Sequence, residues 1–173
     1  MREIILNWEG PYNFKELICS NKLKNKYSCS GIYIWLFINE EKSEVLYIGK
    51  TTGSPTLFER QIQHYMFYIG GLYKIPKEYR NIKKEWNFDI KLNEVKDTII
   101  NLEKFCNIIR DGFNFANNEK FKIYFCRKDS SEVASIERQL LYDFKPKLTK
   151  WGTVTLPKDE IKILNKNLPL KKV

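Results

Sequence analysis

Gly31-Ile32-Tyr33-Ile34-Trp35-Leu36-Phe37-Ile38 and Val45-Leu46-Tyr47-Ile48-Gly49 are two apolar runs crowded with aromatic and β-branched side chains. That composition suits pleated, half-buried strands. The segment between them, Asn39-Glu40-Glu41-Lys42-Ser43-Glu44, is wholly polar, which predicts a surface turn joining antiparallel neighbours. A hairpin of this kind brings Tyr33 and Tyr47 near one another on adjacent strands.

Downstream, Ser54-Pro55 offers a cap with proline at a first helical position, and Thr56-x-x-Glu59 offers a capping box. Either starts a helix near 55–57 that runs to Ile69 and stops at Gly70-Gly71. Phe58, Ile62, Tyr65 and Ile69 form its expected apolar face, while Arg60 and His64 share a different face that spacing alone assigns to solvent. Residues 71–92 are less regular and basic, with Lys74, Lys77, Arg80, Lys83 and Lys84 against Glu78. From Asn93 a long helix is expected through Val95, Ile99, Leu102, Cys106 and Ile109, with Gly112 as its stop. Phe121-Lys122-Ile123-Tyr124-Phe125-Cys126 reads as a third strand, and Asp129 with Glu132 caps a last helix to about Asp143, before Pro146.

The expected order is therefore β-β-α-α-β-α, a small α+β domain with a three-stranded antiparallel sheet flanked by helices. Residues 1–30 read as an extension, in which Asn13 caps a short helix through Phe14, Leu17 and Ile18. Residues 150–173 read as a basic arm or a loosely packed tail, with one short helix in Lys158-to-Leu164.

The chain of 173 residues carries a formal charge of +9, which favours an anionic partner. Cys19, Cys29, Cys106 and Cys126 show no metal-ligand spacing. Without a signal peptide or a long apolar span, they are expected to be reduced, mostly buried thiols of a cytoplasmic protein that does not enter membranes.

Glu137 is the carboxylate that asks for an explanation. It falls within the core-facing arc set by Val133, Ile136, Leu140, Leu141 and Phe144. An unpartnered carboxylate there costs several kcal/mol or is forced neutral. It must meet Arg60, a lysine, a donor cluster or a hard divalent cation.

Taken in order, these parts resemble the GIY-YIG endonuclease family, whose name spells Gly31-Ile32-Tyr33 and Tyr47-Ile48-Gly49. The likeness covers residues 31–149, with residues 71–118 as a helical and basic insertion. It implies a metal-dependent DNA endonuclease that leaves 5′-phosphate and 3′-hydroxyl ends. Within the family, the lack of a linker to a separate recognition module favours a compact restriction-type enzyme over a phage, mobile-element or repair nuclease. The resemblance also assigns roles: Tyr33 to the attacking water, Tyr47 to the phosphate site, and Arg60 to the scissile phosphate; Tyr33 is expected to position the water, and the base is Tyr33, His64 or Lys50, with the protonation state of Tyr33 open. His64 is implied as a proton carrier, Lys50 as a neighbour that tunes a phenol or neutralises phosphate, and Glu137 as the ligand of one Mg²⁺ or Mn²⁺. Lys74, Lys77, Arg80, Lys83, Lys84, Lys147 and Lys150 are the expected contacts to double-stranded DNA, and a two-fold homodimer would cut both strands. One departure stands out. The family often has an asparagine shortly after the proline that follows its glutamate helix, where Thr149 stands here.

Two other classes stay open at this level. A nucleic-acid binder that lost turnover should lack Tyr33, Arg60 or Glu137, and all three are present. A structural or protein-interaction domain would leave the charge and Glu137 unexplained.

Overall fold

The computed structural model describes residues 2–40, 43–70, 102–148, 157 and 161–170. Its contacts divide the chain into two compact units, residues 1–60 with 119–173, and residues 61–118.

The first unit is built on a four-stranded antiparallel sheet in the order β2-β5-β3-β4. The strands are β2 (Glu9–Tyr12), β3 (Gly31–Ile38), β4 (Ser43–Thr51) and β5 (Phe121–Arg127). The hairpin forms as its composition dictates, with β3 central and β4 on the edge. The expected three strands become four because β2 adds to β5. Gly10-Pro11 hides this strand in the sequence, since proline lacks a ladder donor and is tolerated at a sheet edge. Residues 1–30 are thus part of the fold. Asn13 does cap α1 (Phe14–Cys19), with Glu16 completing a capping box, and Ser20 caps a second short helix, α2 (Asn21–Lys26). Phe14 and Leu17 are buried, but Ile18 is exposed.

The tail differs most from expectation. Residues 161–166 are strand β6, paired in parallel with β1 (Arg2–Asn7), where a short helix was expected. Ile161 and Ile163 alternate toward the core occupied by Ile4, Leu6 and Trp8. The Trp8 indole N–H donates to Asn165 Oδ1 at 2.8 Å. Alternating apolar positions favour a half-buried strand once a partner exists.

Helix α5 (Ser130–Phe144) covers one face of the sheet. Ile32, Ile34 and Leu36 of β3, Ile48 of β4, and Tyr124 and Cys126 of β5 pack against its Val133, Ile136 and Leu140. Asp129 holds the cap position without a side-chain hydrogen bond. Glu132, expected to complete a capping box, instead pairs with Arg2. The opposite face is aromatic, with Trp35 near Phe14, Phe121 and Tyr47. The four cysteines are free thiols, of which Cys126 alone is buried.

Helix α3 (Leu57–Ile69) starts at the Thr56-x-x-Glu59 capping box, so the rival start at Ser54-Pro55 is not used. Within the first unit, its first amides donate to the carbonyls of Cys29 and Tyr27, which fixes the helix against the approach to β3.

The second unit contains the rest of α3 and α4 (Leu102–Ala116). The buried positions of α3 are Leu57, Phe58, Gln61, His64 and Tyr68, while Ile62, Tyr65 and Ile69 are half-buried. The expected apolar face was therefore misplaced, because two polar residues occupy the buried stripe and hydropathy points away from it. Gly112 does not stop α4, which continues to Ala116. A Cβ there would lie 1.9 Å from the Tyr68 carbonyl oxygen, so the glycine serves close approach of the two helices. Tyr68 and Phe115 meet with ring centroids 5.1 Å apart. Of the expected core residues of α4, Cys106 is exposed and Ile109 half-buried, and Ile108, Asp111 and Phe115 are buried instead. Val95 and Ile99 lie outside the described residues. Among the described residues, no helix is long and apolar enough to cross a membrane.

Candidate active site

The sheet register places the two tyrosines. Tyr33 stands opposite Gly49 on β4 and Phe125 on β5, and Trp35 stands opposite Tyr47. A bulge at Leu46 separates the Trp35–Tyr47 pair from Leu36–Val45. It leaves Tyr47 on the aromatic face and Ile48 on the α5 face. The Tyr33 and Tyr47 rings lie 5.9 Å apart at 35°, and Trp35 lies 4.9 Å from the Tyr47 ring.

Gly49 supplies the space for this arrangement. A Cβ at that position would come within 2.3 Å of the Tyr33 hydroxyl and 2.4 Å of its Cζ. Tyr33 is 1% exposed, so its ring has little room to retreat. The last residue of the second tripeptide is glycine because the phenol of the first tripeptide lies across its backbone.

Arg60 is half-buried, near the start of α3. Its guanidinium donates to the Tyr33 hydroxyl, which is also hydrogen-bonded to Tyr47. Burial pushes the Tyr33 phenol well above its ordinary value, the neighbouring Tyr47 adds to that, and Arg60 opposes both. Burial also raises Tyr47, against the Tyr33 hydrogen bond and the Arg60 charge, with a contribution from the Glu137 carboxylate. Both phenols are therefore protonated at neutral pH.

Glu137 is on α5 at the margin of the core, with its side chain 17% exposed. Its partner is the ammonium of Lys50, the residue directly after Gly49. Of the partners the sequence allowed, a lysine is the one observed. Lys50 stands opposite Ile32 and shares the α5 face with Ile48, so it meets Glu137 there while Tyr47 lies on the aromatic face. The ion pair and the phenols are therefore on opposite faces of the sheet at β4, near enough for the Glu137 charge to raise the Tyr47 phenol. Gly49 and Trp35, which shape the phenol pair, are the contributors that side-chain chemistry missed; the 33–49 register is the signal that finds them.

The remaining expected contacts divide differently. His64 belongs to the second unit and is 2% exposed, so the solvated face expected for it is not observed. Lys147 is exposed and paired with Glu44 at 3.0 Å, while its backbone N–H donates to the Val45 carbonyl. Leu148 N–H likewise donates to the Leu46 carbonyl, so this segment runs along the outer edge of β4. Lys74, Lys77, Arg80, Lys83, Lys84, Thr149 and Lys150 lie outside the described residues.

Among the described residues, no three His, Cys, Asp or Glu side chains converge as a ready-made metal cage. The oxygen donor available to a cation on the α5 face is the Glu137 carboxylate. A single carboxylate suits a hard cation such as Mg²⁺, which keeps most of its waters and takes one or two carboxylates with substrate phosphate oxygens. It does not suit Zn²⁺, which wants nitrogen or sulfur. No protein-family model, curated protein or solved structure matches the chain.

Proposed function

We propose that the protein is a divalent-metal-dependent endonuclease of GIY-YIG type that hydrolyses phosphodiester bonds in double-stranded DNA, in the manner of a restriction enzyme. The observation that carries this reading is the hydrogen-bonded set Arg60–Tyr33–Tyr47 on the aromatic face of the sheet, with the Lys50–Glu137 pair across β4 from it.

The chemistry follows from the charges. Arg60 is already half-buried, and its guanidinium presents a planar fork of donors to a phosphoryl group. Charge growing on the non-bridging oxygens in the transition state strengthens those contacts. The Tyr33 and Tyr47 hydroxyls, neutral and mutually hydrogen-bonded, orient a water for in-line attack on phosphorus. Attack forms the new P–O bond as the bond to the 3′-oxygen breaks; the water gives its proton to surrounding solvent, and the 3′-oxygen takes one from solvent to leave as a hydroxyl. Glu137 would hold the divalent cation, which when bound supplies positive charge to lower the pKa of water and balance the phosphoryl oxygens. Lys50 adds a second cation for the phosphate.

The direct test is incubation of purified protein with plasmid and Mg²⁺, followed by sequencing of the cut ends. Linear or nicked products with 5′-phosphates, lost on chelation and in Arg60→Ala, support the reading. Duplex binding without cleavage under any divalent cation would instead identify a non-catalytic binder on the same scaffold.

A further inference from the structure

Lys50 and Glu137 pose a question that the nuclease chemistry leaves open. The carboxylate assigned to the cation is occupied by an ammonium that belongs to the protein. The pair is neither deeply buried nor freely solvated, since the side chains are 34% and 17% exposed. Such a pair can open without unfolding its surroundings, but water alone does not screen it away. Lys50 is on the edge strand beside Gly49, and its flexible stem can carry the ammonium off the carboxylate while the backbone stays in the ladder.

We infer that the Lys50 ammonium is an internal counter-ion which holds the Glu137 carboxylate closed to divalent cations until a phosphodiester draws it away. The inference rests on the nuclease reading for the identity of the anion. The occupation of Glu137 by Lys50 is independent of that reading. A cation arriving alone must displace the ammonium and leave it without a partner. A phosphodiester arriving with the cation takes over the ammonium, and its own oxygens complete the coordination. Cation and substrate therefore bind with positive coupling, and the coupling is reciprocal. The consequence is restraint: the protein alone holds little metal, and the site is assembled on DNA.

The test is Mn²⁺ binding to the full chain without DNA, followed by calorimetry or by the loss of the free-ion paramagnetic signal. Lys50→Met keeps the stem and removes the charge. It is expected to tighten Mn²⁺ by about tenfold, within the usual range of such couplings. Lys50→Arg keeps the charge and should bind Mn²⁺ as weakly as the wild type. In Lys50→Met with Glu137→Gln, the gained affinity should disappear. Adding an uncleavable phosphorothioate duplex should tighten Mn²⁺ more in the wild type than in Lys50→Met.

Equal or weaker Mn²⁺ affinity in Lys50→Met, with its melting temperature retained, overturns the inference. So does tight binding that survives Glu137→Gln. If the wild type cuts plasmid while Lys50→Met gains no affinity, the counter-ion role fails and the nuclease stands. If Lys50→Met gains affinity but no condition yields cleavage, the closed carboxylate stands and the nuclease reading fails.

Discussion

Replacing Gly49 with alanine adds one methyl group where the Tyr33 hydroxyl would lie 2.3 Å from it and Cζ 2.4 Å. Ordinary carbon contacts lie near ~3.5–4.0 Å, so the ring must move by roughly an ångström. It is 1% exposed, stands opposite Gly49 in the register, and faces Trp35 across 6.3 Å. Overpacking of this kind costs about 1–3 kcal/mol, and the upper half is expected because the obstacle is a rigid ring. For a chain of this length, about 2–3 kcal/mol lowers the melting temperature by roughly 5–10 °C. The same movement pulls the phenol away from Arg60 and Tyr47, so cleavage should fall with stability. A double-mutant cycle isolates the cause: in Tyr33→Ala the added methyl has no ring to strike, and the loss on Gly49→Ala should shrink to within about 0.5 kcal/mol. Urea titration of the four proteins measures it. A Gly49→Ala protein as stable as the wild type, or an equal loss in both backgrounds, would refute the packing of the phenol over the glycine.

Other outcomes follow from the same geometry. On the nuclease reading, Glu137→Ala should abolish cleavage while sparing duplex binding in a gel-shift assay, because it would remove the proposed cation ligand and a charge like that of phosphate. Arg60→Ala should lower turnover by on the order of a hundredfold or more, as when one charge-stabilising donor is lost, with a smaller effect on KM. Burial raises both phenols above the ordinary value of 10.0, so the stability they contribute is intact below that pH and lost as pH climbs through their folded values. Tyr47→Phe should accordingly flatten the alkaline limb of a urea-midpoint curve, and an identical limb would remove burial as the cause. Deleting residues 158–173 removes β6 and the cover that Ile161 and Ile163 give to Ile4, Leu6 and Trp8; calorimetry should show a loss of at least about 3 kcal/mol.

What the sequence discloses depends on how local the deciding contact is. The hairpin was legible because Gly31–Ile38 and Val45–Gly49 each carry their own strand chemistry and are close in the chain. The α5 arc was legible for the same reason, since its buried positions recur at helical spacing. Strands β1 and β6 were hidden because their partners stand at opposite ends of the chain, and nothing local distinguishes a lysine-rich tail from a lysine-rich strand. Gly112 shows another limit: a glycine that ends a helix and one that lets two helices touch look identical without the second helix. The α3 stripe failed for a physical reason, because Gln61 and His64 occupy buried positions that hydropathy assigns to the surface. The sequence required a partner for Glu137, but only the strand register could select Lys50.

The strongest case against a merely structural cluster lies in what the fold gives up to keep one hydroxyl. Phenylalanine at position 33 would keep the ring packed beside Trp35 and remove a buried polar atom that needs hydrogen-bond partners. A side chain at position 49 would strengthen β4, since glycine weakens a strand interior. Yet the atom nearest to the missing Cβ of Gly49 is the Tyr33 oxygen itself. Two positions, far apart in the chain's local chemistry but paired in register, forgo stability so that a protonated phenol can lie between a guanidinium and a second phenol. Arg60 meets the protonated phenols while Lys50 meets the Glu137 carboxylate, so each face of β4 carries a cation beside an oxygen group. Packing gains nothing from a buried hydroxyl held in that way. On the nuclease reading the gain is a guanidinium already aimed at the oxygens of a phosphodiester.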